Sequence, residues 1–144
     1  QKTGDIRGES HAAGRIGNTY YSLEKYDLAM QFYRRQLTFA YKLEDCHGIA
    51  FATCNVATTL IRLARYSEVP DLLNLSLRIY TGIGDHEGEA YVMRSFSDLY
   101  KSLNQYDKAI TYCDKALSIA TRLGISLEAE YRQLKTTLIQ SIEN

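Results

Sequence analysis

The chain has 144 residues, 45% of them hydrophobic, and its 17 Lys+Arg balance 17 Asp+Glu to a formal charge of zero. With no basic excess to bind phosphates and no net charge to steer it to an acidic membrane surface, neither nucleic acid nor membrane is an expected partner. The apolar runs are far shorter than the roughly 20 residues that span a bilayer. No charged-then-apolar amino-terminal stretch looks like a signal peptide. The three cysteines, Cys46, Cys54 and Cys113, are odd in number and lack Cys-x-x-Cys spacing. That fits small thiols in a reducing compartment, so a cytoplasmic location is expected. One proline and no tryptophan argue against an all-β domain.

The chain is punctuated by Asp5-x-x-Gly8, Asp45-x-x-Gly48 and Asp85-x-x-Gly88. Leu23, Leu63 and Leu103 follow at a spacing of 40, as do Tyr26, Tyr66 and Tyr106. A fixed period of this size is the mark of a stacked repeat protein. Three repeats are expected, approximately 5–44, 45–84 and 85–124, plus a terminal helix over 126–143, as one array across 1–144. Gln1 to Gly4 resembles the later joints around Gly82-Ile83-Gly84 and Gly124, so the chain is expected to start between two repeats of a longer array.

Helix A of the first repeat opens after Asp5, with apolar residues Ala12, Ala13, Ile16, Tyr20 and Leu23 at helical spacing. Asp27 is the expected N-cap of helix B, which carries Ala29, Phe32, Tyr33, Leu37, Ala40 and Leu43. In the second repeat, Ile49, Ala52, Val56, Leu60 and Leu63 mark helix A, and Ser67 takes the cap position. Pro70 then falls three residues into helix B, where first-turn N–H groups lack intrahelical acceptors anyway. The third repeat shows Ala90, Met93, Phe96, Leu99, Tyr100 and Leu103, then Asp107 as the cap, then Ala109, Tyr112, Cys113, Ala116, Leu117 and Ala120. Gly124 suits a left-handed helix C-cap. The last segment has one helical pattern, Leu127, Ala129, Tyr131, Leu134, Leu138 and Ile142. It fits either helix A of a fourth repeat or a capping helix over the last apolar face.

These units resemble the tetratricopeptide repeat in its roughly 40-residue form with Gly-Asp joints, as in Pins/LGN-type polarity adaptors, rapsyn and Tonsoku-like proteins. The likeness is carried on helix A by Ile16-Gly17 and Tyr20, Val56-Ala57 and Leu60, and Phe96-Ser97 and Tyr100. It continues with Tyr26, Tyr66 and Tyr106, and with Ala29 and Ala109, where the middle repeat has Val69. A later small position is Ala116 only in the third repeat, with Gln36 and Ser76 before it, and the proline that usually closes helix B is replaced by Tyr41, Thr81 and Thr121. The resemblance implies an all-α, right-handed superhelical stack of antiparallel helix pairs. The small helix-A residues would sit where the two helices of a unit cross closely.

In this family helix A lines a concave groove. The first repeat then offers His11, Gly14, Asn18, Tyr21 and Ser22 to it. The second offers Phe51, Cys54, Thr58, Ile61 and Arg62, and the third Tyr91, Arg94, Asp98, Lys101 and Ser102, with Tyr131 and Leu134 beyond. His11, Phe51, Tyr91 and Tyr131 form a mostly aromatic ladder of the kind that grips an extended peptide, since aromatic rings give large contact area at low entropic cost. The competing reading packs these rings on a neighbouring helix. Asn18 is expected to hydrogen-bond a peptide backbone, against a plain solvated amide. Arg94 is expected to take a carboxylate of a partner, against a surface ion pair with Asp98. The clamp that family members use for acidic chaperone tails is incomplete. Asn18 and Asn55 fill its asparagine positions, but Gly14, Tyr91 and Ser95 stand where cations belong.

No catalytic set, metal site or cofactor site is expected. His11, His47 and His86 are scattered, and no Gly-rich phosphate loop follows a strand. The expected function is a non-enzymatic interaction module or scaffold that holds a peptide segment of a protein partner. Two alternatives stand beside it. One is a sensor domain of a larger signalling protein, similar to bacterial peptide-responsive regulators with degenerate repeats. The other is a structural spacer that self-associates through exposed terminal helices.

Overall fold

The computed structural model describes residues 3–124 and 128–144. Helices follow in the order α1 (Thr3–Ser22), α2 (Tyr26–Lys42), α3 (Cys46–Arg62), α4 (Val69–Ile83), α5 (His86–Ser102), α6 (Tyr106–Leu123) and α7 (Glu128–Glu143). There is no strand among the described residues. None of the helices is long and apolar enough to cross a membrane. The chain divides into two compact units, Gln1–Ile79 and Tyr80–Asn144. Consecutive helices pack together in each, α1 on α2 and α2 on α3 in the first, α5 on α6 and α6 on α7 in the second.

What turns the chain back after each helix is a residue in the left-handed backbone region. Glu24 (φ 59°), Glu44 (52°), Ala64 (57°), Gly84 (72°), Asn104 (61°) and Gly124 (64°) fall every twenty residues. The forty-residue period is therefore one helix and one reversal, laid down twice. At the first of these, the Glu24 N–H donates to the Tyr21 carbonyl (3.0 Å) and the Lys25 N–H to that of Tyr20 (2.8 Å). The same two bonds recur at Glu44 and Asp45, Ala64 and Arg65, Gly84 and Asp85, and Asn104 and Gln105. This is the Schellman closure, which satisfies carbonyls that a helix end leaves orphaned. Only Gly84 and Gly124 adopt the conformation without steric cost; elsewhere an L-residue gives up about 1 kcal/mol.

The Asp-x-x-Gly punctuation acts at the next step. Asp45 and Asp85 directly follow a left-handed residue and cap α3 and α5, their carboxylates accepting from the Gly48 N–H (3.0 Å) and the Gly88 N–H (2.9 Å). Each glycine is there for room. A Cβ on Gly48 would meet Ala40 Cβ at 3.3 Å, and one on Gly88 would enter the Tyr80 ring. The first Asp-x-x-Gly does not make a joint. α1 begins at Thr3 and runs through Gly4, Asp5 and Gly8. A Cβ on Gly8 would find nothing within 4 Å.

Several expected boundaries move for a related reason. After the closures at Glu24, Glu44, Gly84 and Asn104 the next helix starts within two residues, whereas after Ala64 it starts only at Val69. Lys25 and Gln105 stand at the N-caps of α2 and α6, without a side-chain cap bond, and Asp27 and Asp107 lie inside the first turn. There they favour the helix dipole rather than cap it. α4 begins at Val69, so Ser67 is outside it and Pro70 is its second residue. α7 starts at Glu128; the expected start at Ser126 and Leu127, like Gln1 and Lys2 of the expected inter-repeat tail, lies outside the described residues.

Close helix crossing depends on small residues facing rings. A Cβ on Gly17 would approach Tyr33 Cε1 to 2.7 Å, so α1 and α2 meet with backbone against an aromatic edge. In α5 the same register carries Ser97, which turns its hydroxyl onto the Ala109 carbonyl of α6 at 2.7 Å. Ser76 of α4 does likewise to Ala50 of α3 at 2.8 Å. α3 is buried on most of its circumference, including Ala50, Ala52, Thr53, Val56, Ala57 and Leu60. In the second unit, Ala90, Ala116, Ala120 and Tyr131 form one buried cluster, and Ala109, Cys113 and Leu138 another. Aromatic stacks cover the helix pairs: Tyr20 on Phe32 at 5.7 Å with Arg35 over Phe32, and Tyr100 on Tyr112 at 5.5 Å with Lys115 over Tyr112.

Two glycine substitutions should act with opposite sign. Gly88→Ala is expected to lose about 1–3 kcal/mol in urea unfolding, by forcing a methyl into Tyr80. Gly82→Ala, also in a helix but with open space around it, is expected to gain about 0.5–1 kcal/mol.

Candidate functional site

In the first unit the candidate residues sit on α1 and α3. At about 100° per residue, His47, Phe51, Asn55, Thr58 and Arg62 fall on one stripe of α3. His47 stacks on Phe51, with ring centroids 6.4 Å apart and an interplanar angle of 9°. Phe51 and Arg62 are exposed and Thr58 is half-buried. Arg62 Nε donates to the Tyr21 hydroxyl at 3.0 Å, which ties this stripe to α1. Tyr21 is further held by an edge-on contact with Tyr26 at 5.2 Å. Asn18 and His11 are exposed on α1. Asn18 is no loose amide: its Oδ1 accepts from the buried Tyr33 hydroxyl at 2.6 Å. That fixes its orientation and turns the donor end of the amide to other uses.

The stripe contains two residues outside the expected set, Asn55 and His47. Asn55 is 5% exposed, and its Nδ2 is buried with no hydrogen-bond acceptor. A buried donor without a partner costs about 1–3 kcal/mol. His47 was also absent from that set, although its i,i+4 spacing from Phe51 is a signal for a shared face. Three other groove positions are withdrawn inside. Cys54 and Ile61 are 0% and 4% exposed, because α3 is covered on nearly all sides. Gly14 is buried where a Cβ would strike Gln36 Nε2 at 2.6 Å.

In the second unit Tyr91, Arg94 and Asp98 are half-buried on α5, and Lys101 is exposed. Arg94 forms an ion pair with a carboxylate of α7. Its Nη1 lies 2.7 Å from Glu130 Oε1 on α7. Tyr131 does not extend an exposed ladder: it is 0% exposed, inside the cluster with Ala90, Ala116 and Ala120. Its carbonyl accepts from the Cys113 thiol at 3.3 Å. α7 thus turns inward, through Tyr131 and Leu138, the register that stays at least partly open at Phe51 and Tyr91. A period of 40 specifies which residues correspond; it does not specify how the last helix is rotated.

Burial pushes the Tyr33 hydroxyl up to about 12, with the nearby Tyr21 adding to the effect. Burial likewise pushes the Cys113 thiol up to about 11, Asp114 reinforcing it. A thiol raised in this way is a weak nucleophile at neutral pH. Among the described residues no three His, Cys, Asp or Glu side chains converge to hold a metal ion. Two open crevices lie forty residues apart at the joints. One is lined by Arg34, Leu60 and 64–68, the other by 104–108 with Ser141 and Ile142.

Comparison with known proteins gives the class. The chain matches the tetratricopeptide repeat over residues 49–122, and again over residues 10–42. It belongs to the tetratricopeptide repeat family, whose members are generally non-enzymatic protein-interaction scaffolds. Among solved structures it is similar to the apo form of RapI, at a TM-score of 0.80 and 19% identity. That match covers 95% of this chain and 50% of RapI, so the chain spans about half the length of that relative. The likeness defines the fold, an all-α solenoid. No curated protein matches the chain.

The raised Tyr33 value carries a sign. The folded state holds this proton more tightly than the unfolded chain. Its contribution is therefore complete below pH 10 and is lost as pH rises towards 12, by about 2 kcal/mol. Tyr33→Phe should cost about 1 kcal/mol at neutral pH through the lost bond to Asn18, and should flatten that alkaline decline in urea titrations. Thiol counting with an aromatic disulfide should find only the exposed Cys46 reactive in the native protein, and Cys54 and Cys113 only after unfolding.

Proposed function

We propose that the chain binds an extended peptide segment of a protein partner, with α1 and α3 of the first unit providing the main contact face. The observation that carries this reading is Asn55. Its Nδ2 donor is buried without an acceptor, on the same stripe as an exposed phenyl ring and an exposed guanidinium. An extended peptide offers what that stripe lacks, a row of backbone carbonyls. Asn18, oriented by Tyr33, supplies a second amide donor. His11, Tyr21, Phe51, Thr58 and Arg62 give flanking contact area. Tyr91, Arg94, Asp98 and Lys101 form the corresponding set on the second unit. Tyr131 contributes by supporting α7 from within. Binding to such a face costs little ordering of the protein, because Tyr21, Arg62 and Asn18 are already held.

The forty-residue period, a helix and a reversal laid down twice, supports a place among tetratricopeptide proteins of the Pins/LGN and rapsyn type, and a single array over 1–144 with repeats near 5–44, 45–84 and 85–124. Free thiols at Cys46, Cys54 and Cys113 support a cytoplasmic site of action. The balanced charge supports a protein partner over nucleic acid or membrane.

The test is selection of peptides from a random display library against the full chain, followed by affinity measurement on Asn55→Ala and Asn18→Ala. Each variant is expected to bind the selected peptides about tenfold more weakly. Thermal stability of Asn55→Ala should be unchanged or higher, since the substitution removes an unsatisfied buried donor. Wild-type affinity in both variants, or no enrichment of any peptide, would discard this face.

A further inference from the structure

We propose that Arg94 is a carboxylate-binding residue of the second unit, and that Glu130 occupies it in the free protein as an internal stand-in for an acidic group of the partner. The inference rests on the peptide-binding reading and names the chemistry the second unit would select. The ion pair is one-sided. Glu130 Oε1 contacts Arg94 Nη1 at 2.7 Å, while Arg94 Nε is buried with no acceptor. Arg132 shows the contrast. Its Nε (3.1 Å) and Nη2 (2.7 Å) both reach Glu128 Oε1, so an arginine of the same unit does engage its carboxylate through two nitrogens.

A guanidinium presents its N–H groups as a fork that a carboxylate matches with two parallel bonds. At Arg94 one part of that fork is left empty. A second donor lies nearby, the Tyr131 hydroxyl, which is fully buried and also without a partner. The Arg94 charge acts on this hydroxyl and lowers its pKa against the larger effect of burial. Glu130 precedes Tyr131 in the chain, so its own backbone limits where its carboxylate can go. A carboxylate arriving from outside has no such tether, and once the Glu130 pair opens and the half-exposed Arg94 side chain turns outward it can lie along the fork. The pair is also cheap to open, since the side chains are 37% and 46% exposed and a solvated pair of this kind contributes little.

The experiment uses the full chain with 15N-labelled arginine, following the Arg94 Nε–H resonance. N-acetylglutamate amide supplies a side-chain carboxylate and N-acetylglycine a chain-terminal one, each titrated against sodium chloride at equal ionic strength. Glu130→Gln is expected to bind one of these probes about threefold or more tightly than the wild type, with the resonance moving in step. Whichever probe binds tighter identifies the source of the carboxylate. Arg94→Gln should abolish saturable binding, and Glu130→Ala, checked for unchanged helicity, should behave as Glu130→Gln. Equal affinity in wild type and both Glu130 variants would mean that Glu130 only clips α7 to α5, and would overturn the proposal. So would saturable binding that survives Arg94→Gln. Asn55→Ala, on the other unit, should leave both probes unaffected, so failure of the α3 face and failure of this site are separately visible.

Discussion

A polypeptide that must reverse direction after every helix, within three residues and without leaving backbone carbonyls stranded, has few conformations open to it. Here one solution is used at the five joints from Glu24 to Asn104, a single left-handed residue with paired bonds back into the last turn. Helix length, spacing and antiparallel order follow from it. So does the position of the caps of α2, α3, α5 and α6, because there the residue after the reversal is already at the mouth of the next helix; α4 starts later, at Val69. Asp45 and Asp85 make use of that position, while Lys25 and Gln105 leave it to the backbone.

Once helices are set antiparallel at these distances, their separation is decided by what lies between them. Gly17, Gly48 and Gly88 let a backbone approach a ring or a methyl group, and Ser76 and Ser97 fill the same kind of gap while donating to a carbonyl across it. The interior is satisfied by such local means, with few exceptions. The exceptions are informative, since buried polar atoms without partners are uncommon in native proteins. Gln36, Thr53, Asn55, Arg94 and Tyr131 each carry one; all but Gln36, on α2, lie on helices that bear candidate contact residues.

The sequence was legible wherever a local rule acts through residue type. Asp-x-x-Gly marked the starts of α3 and α5, though as punctuation rather than as caps, and apolar spacing announced the seven helices of the described residues. Gly124 announced a left-handed terminus. What escaped was whatever depends on neighbours. Glu24, Glu44 and Ala64 are left-handed although nothing in their side chains asks for it; the geometry of the joint imposes it. Asp5 had the same letters, and α1 ran through it. Tyr131 kept its place in the forty-residue ladder and was turned inside by the rotation of α7. Asn55 was legible as a position and not as a need, because an unsatisfied donor is a property of three-dimensional surroundings.

The ring stacks give the two units separate optical identities. The chain contains no tryptophan, so its near-ultraviolet absorption comes mainly from tyrosine. Tyr20 against Phe32 lies wholly in the first unit, and Phe96, Tyr100 and Tyr112, stacked at 4.8–6.4 Å, lie wholly in the second. The corresponding residues of the middle repeat, Leu60 and Leu72, are aliphatic and silent. Rings held at fixed angles in an asymmetric setting generate circular dichroism that free tyrosine lacks. The triple stack gives the second unit a contribution of its own to that signal, and its loss on heating would mark when the α5–α6 pair comes apart.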